Sequence, residues 1–288
     1  MVPVTIAEPA VQSYILYSSI LALKVLGMAV LTARERYRKK VFANEEDAKK
    51  TKGIVKFDDP DVERVRRAHL NDLENIPVFW VLGALYLTTG PSSALATLLF
   101  RVYTAGRVLH TIVYAVKPLP QPARGIAYGI PYLIKWYMGV KIVSHYLTAL
   151  SYILYSSILA VKLLSVGMLT GLFRLTRGIF INPEDVQILG GKIKFDDPVV
   201  ERSRRAHRND IENIPAFWIL GALYVTTGPA AAWAKFLFRV YTVSRIIHTV
   251  VYTVVPLPQP TRVIVFKIGY LITWYMGIQV VFHYITAV

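Results

Sequence analysis

Apolar stretches long enough to cross a bilayer alternate with polar segments along the first half of the chain. The first runs from Val11 to Ala33, and others run over about 70–89, 94–116 and 125–148. Each is close to the ~20 residues that a helix needs to cross a hydrocarbon core. The pattern therefore predicts four membrane helices in this half.

The same pattern occurs a second time. The decapeptide that begins at Ser13 recurs unchanged at Ser151, 138 residues further on, and no insertion or deletion separates the two copies. We predict an N-terminal tail over residues 1–12, one unit over 13–150 and a second over 151–288. The predicted fold class is an all-α membrane protein made of two tandem four-helix transmembrane bundles, with eight membrane helices.

Basic residues are concentrated in the first and third connecting loops, whereas the short turn at Gly90 and Pro91 has none. By the positive-inside rule, these loops are cytosolic and both termini are lumenal or external. Only residues 148–151 then connect the units, which predicts a tight turn there. The first twelve residues have no Lys or Arg, so we expect the first span to be an uncleaved anchor.

The composition favours a membrane protein with an anionic partner. Hydrophobic residues make up 54% of the chain, charged residues only 18%, and the formal net charge is +15. An anionic membrane surface or an acidic small molecule fits this balance. Nucleic acid does not, because the charge lies in loops beside membrane spans and no nucleic-acid-binding motif is present. The chain has no cysteine, so any thiol chemistry requires a thiol on a ligand.

Polar residues recur on single faces of the predicted helices. Arg67, Asn71 and Glu74 lie at i, i+4 and i+7, and Arg107 begins a similar stripe on the third span. A charged side chain at the bilayer centre costs about 2.5–3.5 kcal/mol on insertion scales, so such stripes face a bundle interior or an aqueous edge. The cytosolic helix ends thereby collect Arg36, Arg67, Asn71, Glu74, His110, Tyr114 and Arg124, and in the second unit Arg174, Arg205, Asn209, Glu212, His248, Tyr252 and Arg262.

These side chains suit a small zwitterionic ligand with several carboxylates. Arginines bind carboxylates through paired hydrogen bonds, and Glu74 could receive an ammonium group. An arginine beside a thiol would stabilise its thiolate. Glutathione, which has two carboxylates, one ammonium and one thiol, is one ligand of this kind.

Structural interpretations remain open beside this one. Arg107 and Glu74 could form an interhelical ion pair, and Lys24 and Lys162 could pair inside the bundle or extend to its edge. The histidines on the stripes are packing residues or ligand contacts rather than metal ligands, since no second ligand has metal spacing on the same helix. We expect no metal site. The lysines and arginines of the first loop are expected to contact anionic lipid.

The run from Glu63 to Asn75 resembles the signature of the membrane-associated proteins in eicosanoid and glutathione metabolism, the MAPEG family. Val41–Asn44, and Pro118–Pro122 before Arg124, are similar within that family to microsomal glutathione transferases. The resemblance covers each unit almost end to end. It implies a four-helix bundle that assembles as a homotrimer, with glutathione between subunits near the cytosolic face of the endoplasmic reticulum membrane; the mitochondrial outer membrane is an alternative location.

The resemblance also implies roles for the residues of the stripes. The glutathione-contacting positions are Arg36, Arg67, Asn71, Glu74, His110, Tyr114, Tyr128, Arg174, Arg205, Arg208, Asn209, Glu212, His248 and Tyr252, and the catalytic positions near the sulfur are Arg124 and Arg262. The implied activity is conjugation of glutathione to hydrophobic electrophiles, with peroxidase activity on lipid hydroperoxides. Arg107 and Arg245 match an arginine that is structural.

Two alternative functions remain. One is eicosanoid synthesis of the prostaglandin E or leukotriene C type; the other is a non-catalytic lipid-binding scaffold. Gly125 and Val263 stand where the prostaglandin E synthases have a serine, which weakens the first alternative. The units also differ, with Tyr128 replaced by Phe266.

The tandem arrangement departs from the single-unit family pattern. Two units per chain do not divide into a ring of three. Three chains could supply two rings, one unit could lack partners, or two gene copies could have been joined.

Overall fold

Helices dominate both halves of the molecule. The computed structural model describes residues 5–146 and 152–285. The first half contains α1 (Pro9–Lys39), α2 (Glu45–Thr51), α3 (Pro60–Leu87), α4 (Ser93–Thr111) and α5 (Ala123–Tyr146). The second half contains α6 (Tyr152–Arg177), α7 (Pro183–Leu189), α8 (Pro198–Thr226), α9 (Ala231–Thr249) and α10 (Thr261–Ile285).

The remaining regular structure is short. Strands β1 (Val41–Phe42) and β2 (Ile54–Val55) form a parallel pair in the first loop, and β3 (Ile179–Phe180) and β4 (Lys192–Ile193) repeat it. A π-helical turn follows α4 over Ile112–Val116, and another follows α9 over Val250–Val254. The order of elements in residues 9–146 is thus repeated in 152–285. The all-α membrane fold is confirmed.

The chain divides into two compact units, Met1–Met138 and Gly139–Val288. This division falls inside α5, so the domain limits at 13–150 and 151–288 stay a prediction that rests on the sequence repeat. The tight turn predicted at 148–151 lies outside the described residues.

The long helices extend beyond the predicted apolar spans. Helix α1 continues six residues past Ala33 to Lys39, and α3 begins at Pro60, well before the apolar stretch. Within the described residues, only α1, α6 and α10 are long and apolar enough to count as membrane spans by length and composition alone. The polar stripes lower the mean hydropathy of the other long helices, so their predicted crossing rests on the repeat and the bundle packing.

Local sequence explains where the polar half of α3 begins. The Asp59 side chain accepts hydrogen bonds from the backbone N–H groups of Asp61 and Val62, both at 3.1 Å, and Pro60 occupies the first helical position. Aspartate caps with a following proline are a favoured helix start. Asp197 caps α8 in the same way. The cap fixes the start of the helix that carries the Arg67 stripe.

The end of α1 differs in chemistry from the end of α6. Lys40 closes α1 with a positive φ of 53°, whereas the equivalent position after α6 is Gly178, with φ 59°. Glycine adopts this left-handed conformation without the steric cost that a lysine has. The two units thus make the same turn with different residues.

Aromatic contacts bind the helices of each unit together. Phe79 of α3 stacks on Tyr103 of α4 with ring centroids 3.9 Å apart, and Phe217 stacks on Tyr241 at 4.0 Å in the second unit. The Tyr14 hydroxyl of α1 donates to the Trp80 carbonyl at 2.7 Å. These contacts hold α1, α3 and α4 in one bundle below the polar residues.

Candidate functional site

A buried ion cluster joins three helices of the first unit. Asp72 of α3 is fully buried and accepts from Lys24 of α1 and, at 2.6 Å, from Arg107 Nη2 of α4. The same Arg107 nitrogen donates to Asn71 Oδ1 at 2.8 Å. Opposite charges in low-dielectric surroundings attract strongly but need full hydrogen bonding to repay desolvation. The cluster therefore fixes how α1, α3 and α4 are rotated about their axes.

The second unit repeats the cluster with equivalent residues. Asp210 accepts from Lys162 and, at 2.5 Å, from Arg245 Nη2, which also donates to Asn209 Oδ1 at 2.7 Å. Of the two alternatives for Lys24 and Lys162, the structure shows pairing inside the bundle. The carboxylate partners of Arg107 and Arg245 are Asp72 and Asp210, which were not singled out from the sequence.

A further buried lysine distinguishes the first unit. Lys135 of α5 is 1% exposed, donates to Asn75 Oδ1 and lies with Nζ 5.4 Å from the centre of the Tyr132 ring. The equivalent residue of the second unit is Thr273, whose hydroxyl donates to the Gly269 carbonyl. The first unit thus has a buried ammonium group where the second has a hydroxyl.

Cationic and aromatic side chains meet above the ion cluster. Arg67 Nε of α3 donates to the Tyr114 hydroxyl at 3.3 Å, and the Arg124 guanidinium carbon lies 5.2 Å from the centre of the Tyr114 ring. His110 stacks on the same ring, with centroids 5.5 Å apart, and lies 6.2 Å from Tyr128. Five of the predicted site residues of the first unit are thus brought together on three helices and the π-helical turn.

The second unit retains much of this arrangement. The Arg262 guanidinium lies 5.2 Å from the centre of the Tyr252 ring, and His248 stacks on Tyr252 at 5.5 Å. Phe266 takes the place of Tyr128, 6.3 Å from His248. Arg205, the counterpart of Arg67, is exposed and makes no side-chain hydrogen bond with the described residues. Among the described residues, the hydrogen-bonded arginine–tyrosine pair is therefore formed in the first unit, by Arg67 and Tyr114, and not in the second.

The π-helical turn determines where Tyr114 points. A π turn inserts an extra residue per turn relative to an α-helix and is often found at functional sites. Tyr114 packs there with Met28, Val65 and Ala68 from α1 and α3. The turn thereby places a tyrosine against both α1 and α3, next to Arg67 of the polar stripe.

Several proposed site residues have polar atoms that the protein itself does not satisfy. Within residues 5–146 and 152–285, no hydrogen-bond partner exists for the buried nitrogens Arg36 Nη1, His110 Nδ1, His248 Nδ1 and Arg262 Nε. Buried polar groups are nearly always hydrogen-bonded, to protein, water or ligand. A polar ligand with carboxylate oxygens would satisfy the two guanidinium nitrogens.

The remaining predicted residues lie around this cluster. The amide oxygens of Asn71 and Asn209 accept hydrogen bonds from Arg107 and Arg245. Each asparagine therefore helps to position an arginine. Glu74 and Arg174 are partly exposed, and Arg208 and Glu212 are exposed.

Electrostatics outside the membrane spans strengthen the start of α3. Lys39 Nζ lies 2.5 Å from Asp61 Oδ2, and Arg64 Nη2 lies 2.6 Å from Asp61 Oδ1. The hydrogen bond from Lys39, followed by that from Arg64, holds the pKa of Asp61 below its ordinary value of 3.8. The second unit has Val199 at the equivalent position and pairs Arg177 with Asp197 instead.

Comparison with known proteins gives two matches to one family. The MAPEG family model matches residues 14–144 and again residues 152–282. Microsomal glutathione S-transferase 1 of Mus musculus is 42% identical over 132 residues, which cover 44% of this chain and 84% of that protein. The same figures hold for the protein of that name from Homo sapiens. Prostaglandin E synthase of Equus caballus is 40% identical over 139 residues, covering 48% of this chain and 90% of that protein.

Proposed function

Because the chain belongs to the MAPEG family, we propose that it is a membrane-bound glutathione transferase that conjugates glutathione to hydrophobic electrophiles. The carrying observation is the cluster of Arg67, Tyr114 and Arg124, in which two guanidinium groups flank one tyrosine. Relatives named as glutathione S-transferases support the same assignment.

Each residue of the cluster has a distinct proposed role. Glutathione would supply the thiolate that attacks the electrophile. Arg124 and Arg262 would place positive charge beside the sulfur and stabilise the anion. Arg67 would bind a carboxylate, with its side chain held by Tyr114, and Glu74 would receive the ammonium. The ion cluster at Asp72 would keep the helices that carry these side chains in register.

Electrophiles would reach the site from the bilayer. A hydrophobic substrate dissolves in the apolar phase that surrounds the helices, whereas the arginines lie at the predicted cytosolic ends. We extend the proposal to peroxidase activity on lipid hydroperoxides, because these substrates partition in the same way. We also propose the endoplasmic reticulum membrane as the location and a trimeric arrangement of units as the assembly.

The test is turnover of a chromogenic hydrophobic electrophile by detergent-purified protein. Arg124→Ala and Arg262→Ala, singly and together, are expected to lower kcat by about 100-fold in the double variant, since a lost transition-state donor costs ~10²–10³. The affinity for glutathione should change less. Arg38→Ala is the matched control, because Arg38 is exposed and pairs with Glu35. Unchanged kcat in the double variant would remove these arginines from the mechanism.

Prostaglandin E synthesis is the second candidate, and similarity to the horse synthase favours it. Gly125 and Val263 follow the two catalytic candidates. Since neither residue has a hydroxyl, we expect conjugation to exceed isomerisation of a prostaglandin endoperoxide. The reverse order of rates would favour this candidate.

A further inference from the structure

A pocket in the second unit lies far from Arg262 of the proposed glutathione site. It has a volume of about 450 Å³ and is formed by the end of α8, the start of α9 and the last third of α10. Its principal lining residues are Tyr224, Trp233, Tyr275, Gln279, Phe282 and His283. Arg262 stands at the other end of α10, thirteen residues before Tyr275 in the chain, which is about 20 Å along a helix at 1.5 Å per residue. The cavity is therefore separate from the proposed glutathione site.

Three of its aromatic rings stand at steep angles to one another. The rings of Tyr275 and Tyr224 have centroids 6.1 Å apart and an interplanar angle of 65°. Those of Tyr275 and Trp233 are 6.2 Å apart at 87°, and Trp233 Nε1 donates to the Tyr275 hydroxyl at 3.1 Å. Phe236 stacks on Trp233 with centroids 5.4 Å apart and supports it. Edge-to-face packing and the hydrogen bond fix the orientations of these rings beside an open pocket.

The polar lining of the cavity lacks negative charge. Among the described residues that form it, the side chains with polar groups are amide, hydroxyl, indole and imidazole groups, and none is a carboxylate. A primary ammonium favours sites with several hydrogen-bond acceptors, but a quaternary ammonium has no N–H to donate. Its diffuse charge is instead attracted to the negative faces of aromatic rings.

We propose that this cavity binds the quaternary ammonium of a choline headgroup. Trp233 and Tyr275 supply the ring surfaces, and Tyr224, which is 3% exposed, packs against Tyr275 and supports it. The Gln279 amide can donate a hydrogen bond to the adjoining phosphate. The position supports a lipid source, because these helix ends lie at the membrane boundary on the predicted lumenal or external side, at headgroup depth. The ligand class is thus a phosphocholine, carried by a lipid or free.

The first unit offers a built-in comparison. Its equivalent residues retain the tyrosine pair, with Tyr86 and Tyr137 centroids 6.2 Å apart at 64°. However, Leu95 stands in the place of Trp233, and Lys141 in the place of Gln279. A lysine would repel an ammonium ligand, and leucine has no ring face. Aromatic residues are common at the membrane boundary, but that preference alone does not explain why Trp233 and the uncharged Gln279 occur together in the second unit.

The experiment is native mass spectrometry of the full-length protein with phosphatidylcholine and phosphatidylethanolamine of identical acyl chains. Wild type should retain the choline lipid at least about fivefold more than the ethanolamine lipid, within the range of cation–π contributions. Trp233→Leu and Gln279→Lys, which install the residues of the first unit, should reduce this preference to less than about twofold. Lys141→Gln, in the first unit, should leave it unchanged.

Competition identifies the group that is recognised. Tetramethylammonium and phosphocholine should displace the lipid from wild type, and equal affinities of phosphocholine and the lipid would assign the site to the free headgroup. Thermal unfolding and the conjugation rate should match wild type in both variants, which separates headgroup binding from folding and from the transferase proposal. No lipid preference in wild type, or a preference that survives Gln279→Lys in a folded protein, would overturn the assignment.

Discussion

Replacing Asp72 by asparagine tests whether the buried ion cluster holds the first bundle together. The side chain is fully buried between Lys24 and Arg107, which are about 10% and 1% exposed. Asparagine keeps the volume and can accept one hydrogen bond, but it removes the only negative charge that the described contacts place between these two cations. Two like charges would then face each other without the counter-charge that repaid their desolvation.

The expected loss is large for a single substitution. Removing one partner of a buried ion pair costs about 3–5 kcal/mol. For a unit of this size, 1 kcal/mol corresponds to roughly 2–4 °C in Tm, so Asp72→Asn should lower Tm by about 6–20 °C. Thermal unfolding of the purified protein in detergent, followed by circular dichroism, measures this shift. Asp210→Asn should give a comparable loss in the second unit.

Two comparisons make the result specific. Asp61→Asn removes a carboxylate that is 26% exposed, and exposed pairs contribute about 0–1 kcal/mol, so its shift should be small. Lys24→Met combined with Asp72→Asn should be more stable than Asp72→Asn alone, since one of the two uncompensated cations is gone. A loss below about 1 kcal/mol for Asp72→Asn, or no relief in the double variant, would refute the reasoning.

Three other substitutions follow from single contacts. The pKa of Asp61 is lower in the folded protein than its ordinary value of 3.8, so its carboxylate stabilises the fold above pH 3.8. This stabilisation is lost as the pH falls through the folded-state pKa. In acid titrations, Asp61→Asn should therefore show a smaller loss of unfolding free energy between about pH 5 and 3 than wild type. Gly106→Ala should lower the free energy of unfolding by about 1–3 kcal/mol, because a Cβ there would lie 2.4 Å from Pro131 Cγ. Pro131→Gly should restore it, and Gly129→Ala, with open space, should have little effect. Lys135→Thr installs the residue of the second unit. It should leave the free energy of unfolding unchanged or raise it, since a buried ammonium is costly. A fall of more than about 2 kcal/mol in the free energy of unfolding would contradict this.

The helical architecture follows directly from patterns in the sequence. The repeat at an offset of 138 residues, the apolar stretches and the aspartate–proline starts at Asp59 and Asp197 are all local features, and the structure contains the corresponding helices. Stripes at helical spacing also identified Arg67 and Tyr114, and position at the start of the fourth span identified Arg124; the three are together in the folded unit. Local periodicity determines which residues share a face, so these features were predictable.

The choice of partners was not predictable in the same way. Asp72 adjoins Asn71 in the sequence, yet helical spacing alone does not decide whether Arg107 pairs with Asp72 or Glu74, because that depends on the rotation of α3 against α4. The missed signal was that Lys24 and Lys162 are mid-span cations that each require a buried anion. The π-helical turn and the ring angles around Tyr275 depend on tertiary packing, so the pattern of apolar and polar residues did not predict them.

The most direct test of the transferase proposal is equilibrium binding of glutathione to the detergent-purified protein, with ultraviolet absorbance of the thiolate as the readout. Wild type is compared with Arg67→Ala, Arg205→Ala and the double variant. We predict saturable binding with a thiolate signal, weakened more by Arg67→Ala, because Arg67 contacts Tyr114, than by Arg205→Ala, where Arg205 is exposed. Absence of binding and of thiolate absorbance, in protein shown to be folded, would contradict the proposal and leave the polar stripes as structural links between helices.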